Sequence, residues 1–451
     1  MSKTPIEINQ KHQFGTVPYK KMRYLTRSID SQLKKYISVF GAVLIEGPKW
    51  CGKTTSAEQV AKSVLKLQDP DMRGEYLATA GVKPSLLLAG DTPRLIDEWQ
   101  DAPVLWDAVR TMVDKRSLPG QFILTGSNTI DMSQIYHTGT GRIARLRMNT
   151  MSLWESDESN GKISLMEMFN NPSCDIDGIT SDLSIEDLIY AACRGGWPAS
   201  LYPSDREAAL LLAKDYVNTV CRDDISRIDG IRRDAKITSR ILKSYARNIS
   251  TLAKKTSILA DITSSGEISL SMESLSAYLN ALTRIFVIQD IDGWCPAIRS
   301  KTVIRSSPKR CFADPSIAVA SLGLTPKMLQ EQLKTFGFIF EQLCFRDLSA
   351  YASEKNGSFG YYHDRSDLEA DGVLHLDDGR YALMEFKLGS REIDEGAAHL
   401  VTIQSLIRKH NQGEVQVPIR EPDLLLVITG GRLAYTRPDG VKIVPIGCLK
   451  P

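Results

Sequence analysis

The stretch GPKWCGKT, residues 47–54, fits the phosphate-loop pattern G-x-x-x-x-G-K-[ST]. It follows the apolar run VLIE (43–46), a predicted strand, and it opens a predicted helix over TTSAEQVAKSVLK (54–66). Glycines let the backbone N–H groups of such a loop point at phosphate oxygens, and the start of the helix adds positive potential. Because loop, strand and helix occur in the order the motif requires, the segment is predicted to bind a nucleotide. The alternative is a chance glycine loop.

The ligands predicted from this loop are ATP and Mg²⁺. Lys53 is expected to reach the β- and γ-phosphates, and the Thr54 hydroxyl is expected to bind Mg²⁺. The complete set of predicted ATP-binding residues is Gly47, Pro48, Lys49, Trp50, Cys51, Gly52, Lys53, Thr54 and Thr55.

Apolar runs and helical stretches continue to alternate after the loop. RLIDE (94–98), GQFILTGS (120–127) and RIARLRMN (142–149) are predicted strands, and APVLWDAVRTMVDK (102–115) is a predicted helix. SLLLAG (85–90) is compatible with a strand or a short helix. Continuous apolar strands between helices indicate an α/β domain whose parallel sheet is covered on both faces.

Polar side chains stand at the ends of two of these strands. Asp97 is predicted to hold Mg²⁺ together with Thr54, and Glu98 to orient and deprotonate the attacking water. Ligands of open α/β sheets bind at this carboxyl edge. Three side chains after FIL (122–124) are therefore candidates for sensing the γ-phosphate, with ordinary strand-end turn chemistry as the alternative: Thr125, Ser127 and Asn128.

A second group of charged residues lies near the C-terminus. Glu341 falls in a helical stretch, Asp371 in LEADGVL, and Glu385 and Lys387 in ALMEFKLG. Side chains alternate along strands, so Glu385 and Lys387 share a face that Asp371 can join from a neighbouring strand. Two carboxylates with waters suit Mg²⁺, so Asp371 and Glu385 are predicted as a possible second metal site beside Lys387. The alternative is a surface hairpin with a solvated charge pair.

The middle of the chain is basic. Residues 222–255 contain ten Lys or Arg and residues 299–310 contain five, on either side of a predicted helix over 271–284. Helices followed by a β-hairpin are the order of a winged helix, and such a basic region can neutralise DNA phosphates. The alternative is a packing linker whose charges are solvated. The cations predicted to contact phosphate are Arg240, Lys243 and Arg247.

These patterns divide the chain into five predicted segments. A basic lead-in precedes the P-loop core. Its apolar spacing predicts a helix packed on the first domain, and the alternative is a solvated arm. An acidic insertion with a helical lid, the winged-helix-like region and a C-terminal α/β domain follow. The boundaries are 1–36, 37–154, 155–225, 226–310 and 325–451.

Composition excludes several protein classes. The 451 residues are 42% hydrophobic and 24% charged with a net charge of +2, which is typical of globular proteins and not of disordered or fibrous chains. The eight Cys include no CxxC pair, which favours reduced thiols over disulfides or a zinc site. The N-terminus has no apolar signal-peptide region and no apolar run is long enough to cross a bilayer. A cytoplasmic protein is expected.

The motifs together resemble a known family. GPKWCGKTT, LIDEWQDAP, ILTGSN, TGTGRIARLRMNTMSLWE, GGWP (195–198) and KRCFADPSIA (309–318) are similar to motifs of bacterial and archaeal AAA-type ATPases fused to a C-terminal domain of unknown function. The resemblance runs from about residue 24 to the C-terminus. It implies that Arg142, after Gly141, is the γ-phosphate arginine, acting within one subunit or across the interface of a homo-oligomer formed by the ATPase domain. The alternative is a solvated strand arginine.

The C-terminal order of elements resembles the PD-(D/E)xK nuclease fold. In that resemblance Glu341 matches the helix carboxylate, Gln404 the following helix and LLLVITG (424–430) a later strand. The whole pattern predicts an ATP-hydrolysing protein that acts on DNA. The first alternative is a signalling or scaffold NTPase whose C-terminal domain is an inactive binding module. The second is a metal-dependent nuclease regulated by nucleotide.

Overall fold

A five-stranded parallel sheet forms the N-terminal part of the molecule in the computed structural model. Its strands are β1 (Ala42–Glu46), β2 (Ser63–Lys66), β3 (Arg94–Asp97), β4 (Phe122–Gly126) and β5 (Ile143–Arg147), in the order β2-β3-β4-β1-β5. Every neighbouring pair is parallel, which confirms the predicted α/β sheet. The structure describes residues 23–129, 138–203, 205–264, 266, 268–296, 307–364, 366, 368–413 and 418–451.

Helices cover both faces of this sheet. They are α1 (Ile29–Ile37), α2 (Lys53–Glu58), α3 (Arg73–Val82) and α4 (Val104–Arg116). Each face packs its own apolar cluster, because the side chains of the central strands alternate between the two faces. The predicted helix of the lead-in is confirmed as α1, which packs Ile29 and Leu33 into one of these clusters. Residues 1–22 lie outside the described residues.

One predicted helix is too long. The helix predicted over residues 54–66 ends at Glu58, and Ser63–Lys66 forms the edge strand β2 instead. Leu65 is buried while Val64 is 41% exposed, which is the period of two expected in a strand. The segment pairs in parallel with β3. Four residues are too few for this period to be separated from a helical one in the sequence. The ambiguous run at 85–90 contains a 3₁₀ helix over Pro84–Leu88.

Helices dominate the lid and the middle region. After β6 (Ile163–Ser164), the lid contains α5 (Leu165–Asn170), α6 (Ile185–Arg194) and α7 (Arg206–Thr219). A π-helical turn over Val220–Asp224 then leads into α8 (Ile225–Arg227). The middle region continues with α9 (Ala235–Arg247), α10 (Lys255–Thr263) and α11 (Met272–Arg284).

The predicted wing follows α11. Isolated antiparallel bridges join Ile288 to Phe312 and Ile291 to Lys309. Residues 297–306, which include the tip of the predicted hairpin with Arg299, Lys301 and Arg305, lie outside the described residues. The winged-helix assignment therefore stays a prediction.

The C-terminal part is a mixed six-stranded sheet with flanking helices. Its helices are α12 (Pro315–Leu322), α13 (Pro326–Glu331), α14 (Leu333–Ala352) and α15 (Ile393–Asn411). Its strands are β7 (Ser358–His363), β8 (Glu369–His375), β9 (Tyr381–Lys387), β10 (Leu424–Thr429), β11 (Tyr435–Thr436) and β12 (Lys442–Pro445), in the order β11-β12-β10-β9-β8-β7. Strands β7, β8 and β9 form an antiparallel meander, and β10 returns through α15 to lie parallel to β9.

The lid, the middle region and the C-terminal sheet share one apolar core. A single cluster of buried residues extends from Leu153, just before the lid, to Leu449. The terminal strand β13 (Leu449–Lys450) pairs with β6 of the lid. Further 3₁₀ helices occupy Trp99–Asp101, Pro198–Leu201, Ser353–Lys355, Ser390–Glu392 and Ile446–Cys448.

Within the described ranges, none of the helices combines the length and apolar character needed to cross a bilayer.

Candidate functional site

The loop between β1 and α2 requires its two glycines. A Cβ on Gly47 would lie 2.1 Å from the carbonyl oxygen of Met148, so only glycine fits between these segments. Gly52 has a φ of 103°, a backbone conformation that L side chains rarely adopt. The α2 helix begins directly after it, at Lys53. The backbone thus makes the tight turn that the phosphate-loop motif predicts.

Lys53 lies inside this loop. Its side chain is buried, and its ammonium donates hydrogen bonds to the carbonyl oxygens of Gly47 at 3.0 Å and Pro48 at 2.8 Å. These carbonyls hold the ammonium within the loop, whose N–H groups would form the phosphate cradle. The ammonium is therefore placed to meet bound phosphate oxygens.

Oxygen donors from three elements meet beside the loop. The hydroxyls of Thr54 and Thr125 both donate to Asp97 Oδ1, at 2.7 and 2.6 Å. Thr54 comes from α2, Asp97 from the end of β3 and Thr125 from the central strand β4. A hydroxyl and a carboxylate at this separation fit the hard-oxygen preference of Mg²⁺. The predicted pairing of Thr54 with Asp97 is consistent with this geometry.

Glu98 is held by its neighbours at the same edge. Its backbone has a φ of 54°, which is unusual for a residue with a side chain and directs the carboxylate out of the strand. Ser127 Oγ donates to Glu98 Oε2 at 3.0 Å, and the Gln100 amide donates to the same oxygen. Asn128 Oδ1 is buried without a hydrogen-bond partner among the described residues. The sheet therefore brings Asp97, Glu98, Ser127 and Asn128 to one edge.

A cavity of about 580 Å³ opens beside these groups. Its lining includes Lys53, Thr54 and Glu98, which are charged or polar. It also includes apolar and aromatic side chains from the lead-in, the end of the P-loop core and the lid: Tyr24, Leu25, Met151, Pro198, Tyr202 and Leu212. This combination suits a ligand with a flat apolar part and an anionic part. The sequence does not indicate these apolar lining residues, because they are far from the loop in the chain.

Arg27 attaches the lead-in to this cavity. Its guanidinium donates to the carbonyl oxygens of Cys51 at 2.6 Å and Asn149 at 2.8 Å, and it pairs with buried Glu155 at 3.2 Å. Burial opposes the charge of Glu155, but Arg27 and the N–H groups of Ser152 and Ser28 outweigh it and lower the pKa of Glu155. One face of the nucleotide cavity is thus fixed by a buried ion pair.

The bulky residues of the loop contact the lid. Lys49 Nζ lies 2.6 Å from Asp224 Oδ1, in the π-helical turn. The Trp50 ring lies 6.3 Å from the ring of Tyr216 on α7, which stacks at 4.4 Å on Trp197. The loop side chains thus join the nucleotide site to the lid, a long-range role that the sequence alone does not indicate.

Arg142 lies at the opposite edge of the sheet from the loop of its own chain. Its carbonyl accepts from the N–H of Ala42, the first residue of β1, whereas the loop follows the last residue of that strand. Five residues of strand separate the two ends by about 16 Å. Arg142 pairs there with Asp114 at 2.8 Å. This arrangement favours action across an interface over action within one subunit, and both stay predictions.

The C-terminal carboxylates meet two lysines. Lys387 Nζ lies 2.6 Å from Glu385 Oε2 and 3.6 Å from Asp371 Oδ2. Lys309 Nζ, which comes from the segment before α12, lies 2.6 Å from Glu341 Oε1 and 3.7 Å from Asp371 Oδ1. The four predicted residues are therefore brought together. Lys309 was not predicted as a member, and its only signal was its place in KRCFADPSIA.

The three carboxylates of this cluster differ in acidity. Burial raises the pKa of Glu341 to about 8, against the opposing effect of Lys309. Burial and the charge of Asp371 raise the pKa of Glu385 above its ordinary value. Burial opposes the charge of Asp371 as well, but Lys309 and Lys387 hold its pKa below the ordinary value. The negative charge of the three acids is compensated by the ammonium groups of Lys309 and Lys387 and by bound protons.

This cluster does not fit the predicted second metal site. The ammonium groups of Lys309 and Lys387 already lie against Asp371, and that of Lys387 also contacts Glu385 Oε2, so an ion would have to compete with them. In the part of the chain that the structure describes, no group of three or more His, Cys, Asp or Glu side chains is arranged to hold a metal. The physical reason is Lys309, a buried cation from a distant segment that the sequence pattern did not include.

Four of the ten basic residues of 222–255 lie on α9. Arg240, Lys243 and Arg247 are exposed on one side of this helix. Arg284, at the end of α11, donates instead to the carbonyl oxygen of Thr129 at 3.3 and 3.2 Å. The one basic residue of the predicted recognition helix is thus used to contact the segment after β4.

Family models cover three parts of the chain. Residues 40–156 match the model described as AAA domain. Residues 185–328 and 336–449 match two domains of unknown function, DUF8612 and DUF4143. The strand order and the loop geometry agree with this match. Residues 40–156 form a P-loop ATPase domain that is similar to AAA domains.

Relatives of known sequence or structure are distant. Uncharacterized proteins Rv2008c of Mycobacterium tuberculosis and Mb2031c of Mycobacterium bovis are each 23% identical over 356 residues, which are 78% of this chain and 71% of theirs. The Walker-type ATPase PABY2304 of Pyrococcus abyssi is 14% identical with a TM-score of 0.40, over 66% of this chain and 96% of that one. A DNA replication initiation factor is 10% identical with a TM-score of 0.22, over 56% and 85%. These two structural likenesses are too weak to carry an argument.

Proposed function

We propose that the protein binds and hydrolyses ATP at the loop over residues 47–54 and uses this cycle to act on DNA. The ATPase part rests on one observation: Lys53, Thr54, Asp97 and Glu98 converge on one edge of the sheet. A cavity with apolar lining residues lies beside them. The match of residues 40–156 to an AAA domain supports the same reading. The adenine base of ATP would lie against the apolar lining residues of the cavity, and its triphosphate would lie in the loop.

Each side chain has a separate role in this proposal. Lys53 draws the β- and γ-phosphates into the loop, and the N–H groups of α2 add hydrogen bonds and positive potential. Thr54 and Asp97 would hold Mg²⁺, which supplies charge neutralisation on the phosphate oxygens. Glu98, fixed by Ser127, accepts a proton from the attacking water. Asn128 offers its unpartnered carbonyl oxygen to the same water.

Arg142 enters this proposal through assembly. Its position at the far edge of the sheet supports a role towards the nucleotide of another copy of the chain. An arginine delivered in this way stabilises the charge of the transition state. We therefore include a homo-oligomer formed by the ATPase domains.

The C-terminal domain is proposed as a binding module with the architecture of a PD-(D/E)xK nuclease. The support for the architecture is the order α14, antiparallel meander, α15 and a strand parallel to β9. The support for binding without cleavage is the neutralisation of Glu341, Asp371 and Glu385 by Lys309 and Lys387. The basic residues of the middle region make DNA the favoured partner class, and a protein-binding scaffold is the alternative.

Nucleotide binding and turnover in a matched pair of variants test the ATPase proposal. Lys53→Ala should lose ATP binding in an equilibrium assay and should lose turnover by about 10²-fold or more. Lys62→Ala, which removes an exposed lysine of the same domain, should leave both unchanged. Normal turnover by the Lys53→Ala protein would reject the loop as the site of hydrolysis.

A further inference from the structure

A broad groove lies where the lid meets the middle region. It has a volume of about 1130 Å³ and is walled by the π-helical turn after α7, by α9 and by α10. Its charged lining consists of five cations and two carboxylates: Arg222, Lys236, Arg240, Lys243, Arg247, Asp234 and Asp261. The whole chain carries a net charge of only +2, so positive charge is concentrated in this groove.

The cations of α9 form one continuous stripe. They occur at positions 236, 240, 243 and 247, at intervals of four, three and four residues. This spacing places them on one face of a helix, over a length of about 16 Å. All four residues are exposed, whereas Ile241, Leu242 and Tyr245 on the other face are buried. Packing therefore fixes the stripe in its outward orientation.

The two carboxylates are occupied by local contacts. Asp234 caps α9 by accepting from the N–H groups of Lys236 at 2.7 Å and Ile237 at 3.1 Å. Asp261 accepts from Ser244 Oγ at 3.1 Å and lies 3.8 Å from Arg247. That exposed pair contributes little to stability and yields readily to a stronger anion. The groove thus keeps an excess of positive charge.

The uncharged lining favours phosphate over other anions. Ser239 and Asn218 supply hydroxyl and amide donors of the kind that bind phosphate oxygens. None of the described residues that line the groove is aromatic. Single-stranded nucleic acid is bound on aromatic stacking platforms, and protein partners are anchored by aromatic hot spots, so both are disfavoured.

We propose that this groove binds the sugar-phosphate backbone of duplex DNA, with α9 as the contacting helix in place of the predicted α11. This inference rests on the proposed action on DNA and specifies its surface. The π-helical turn places the groove next to the ATPase site, because Arg222 lines the groove and Asp224, two residues later, pairs with Lys49 of the loop at 2.6 Å. Turns of this type occur frequently at functional sites.

The test is the binding of a labelled duplex of about 20 base pairs by the full-length protein at several salt concentrations. Arg240→Ala/Lys243→Ala/Arg247→Ala should lower the slope of log K against log salt by about 2.7, which is ~0.9 for each of three contacts. The fall in affinity between 50 and 200 mM salt should then be about 40-fold smaller than for the unaltered protein. DNA should also stimulate the ATPase of the unaltered protein and not that of this variant.

Two further variants control for the loss of charge in general and for the loss of charge on α9. Lys83→Ala/Lys115→Ala/Lys327→Ala removes the same charge from exposed positions outside the groove and should keep the full slope. Arg240→Lys/Lys243→Arg/Arg247→Lys keeps the charges on α9 and should bind as the unaltered protein does. Unchanged melting temperatures should accompany both groove variants.

The outcomes separate the two proposals. No binding of duplex by the unaltered protein would reject DNA as its partner. Duplex binding with the same slope in the Arg240→Ala/Lys243→Ala/Arg247→Ala variant would reject the groove and leave the DNA partner standing. Tighter binding of a single strand of equal length would reject the duplex assignment, and tighter binding of a polyglutamate peptide would replace DNA by an acidic protein.

Discussion

The molecule has two sets of acidic side chains near the ends of buried strands, and they differ in what surrounds them. Glu98 lines a cavity, Asp97 lies beside it, and the side chains of both accept hydrogen bonds from neutral hydroxyl and amide groups of the described residues. Asp371 and Glu385 are buried and already contact the ammonium groups of Lys309 and Lys387. The first set has negative charge available for a cation, and the second does not.

This difference shows that carboxylates at suitable spacing do not by themselves define a metal site. Desolvation disfavours a buried carboxylate strongly unless a cation compensates it. In the C-terminal cluster that cation is supplied by the protein, and the pKa of Glu341 is nevertheless raised to about 8. In the ATPase site the compensating cation would come with the nucleotide, so the site depends on its ligand.

The largest effect is expected from a side chain of another subunit that completes the ATPase site. Arg142→Ala should lower ATP turnover by about 10³-fold or more, the effect of losing an arginine finger. Mixing this protein with Glu98→Gln protein should restore part of the turnover at composite sites. The measurement is turnover per subunit across a range of protein concentrations. Full activity in a proven monomer would show that the site is complete in one chain.

Removing the base from the open site should stop chemistry without emptying the site. Glu98→Gln should reduce turnover by about 10²–10⁴-fold, because the amide cannot accept the proton of the attacking water. ATP binding should be retained. Glu385→Gln in the closed cluster is the matched change and should leave turnover unaltered. Equal losses in the two variants would contradict the assignment of chemistry to the first set alone.

Opening the closed cluster should cost stability. Lys309→Met removes the ammonium nearest to Glu341 and leaves Asp371 with Lys387 alone. It should destabilise the fold by about 3–5 kcal/mol near pH 9, above the pKa of Glu341. Chemical denaturation measures this loss, and it should shrink near pH 5, where the carboxyls can take up protons. Lys334→Met, at an exposed position of α14, is the control and should have little effect. An equally stable Lys309→Met protein would show that the cluster is not closed by this lysine.

The raised pKa of Glu385 predicts a smaller effect that depends on pH. The folded state retains a proton that the unfolded state has released above pH ~4.5, so this residue stabilises the fold at low pH and loses that contribution as pH rises. Glu385→Gln resembles the protonated acid and should melt at a higher temperature than the unaltered protein near pH 9. Melting curves in the presence of a chelator should show this difference vanish towards pH 5. A difference that does not change with pH would contradict the raised pKa.

Local motifs made much of the first site predictable from sequence. The loop, Asp97, Glu98, Ser127 and Asn128 each follow a buried strand of a parallel sheet, so their convergence follows from the fold class. Spacing in the sequence does not reveal contacts between distant segments. Such contacts form the apolar lining of the cavity, the Lys49–Asp224 pair and the pairing of Lys309 with the C-terminal carboxylates. The helix predicted over 54–66 failed for a local reason, because a four-residue edge strand resembles a continued helix.

Titration of the full-length protein with Mn²⁺, followed by electron paramagnetic resonance, tests the contrast between the two sites most directly. One ion per chain should bind tightly only when a non-hydrolysable ATP analogue is present, and Thr54→Ala should weaken this binding. Without nucleotide, no tightly bound ion is expected, since Lys309 and Lys387 compensate the other carboxylates. A tightly bound ion in the absence of nucleotide that is lost in Asp371→Asn would contradict the account.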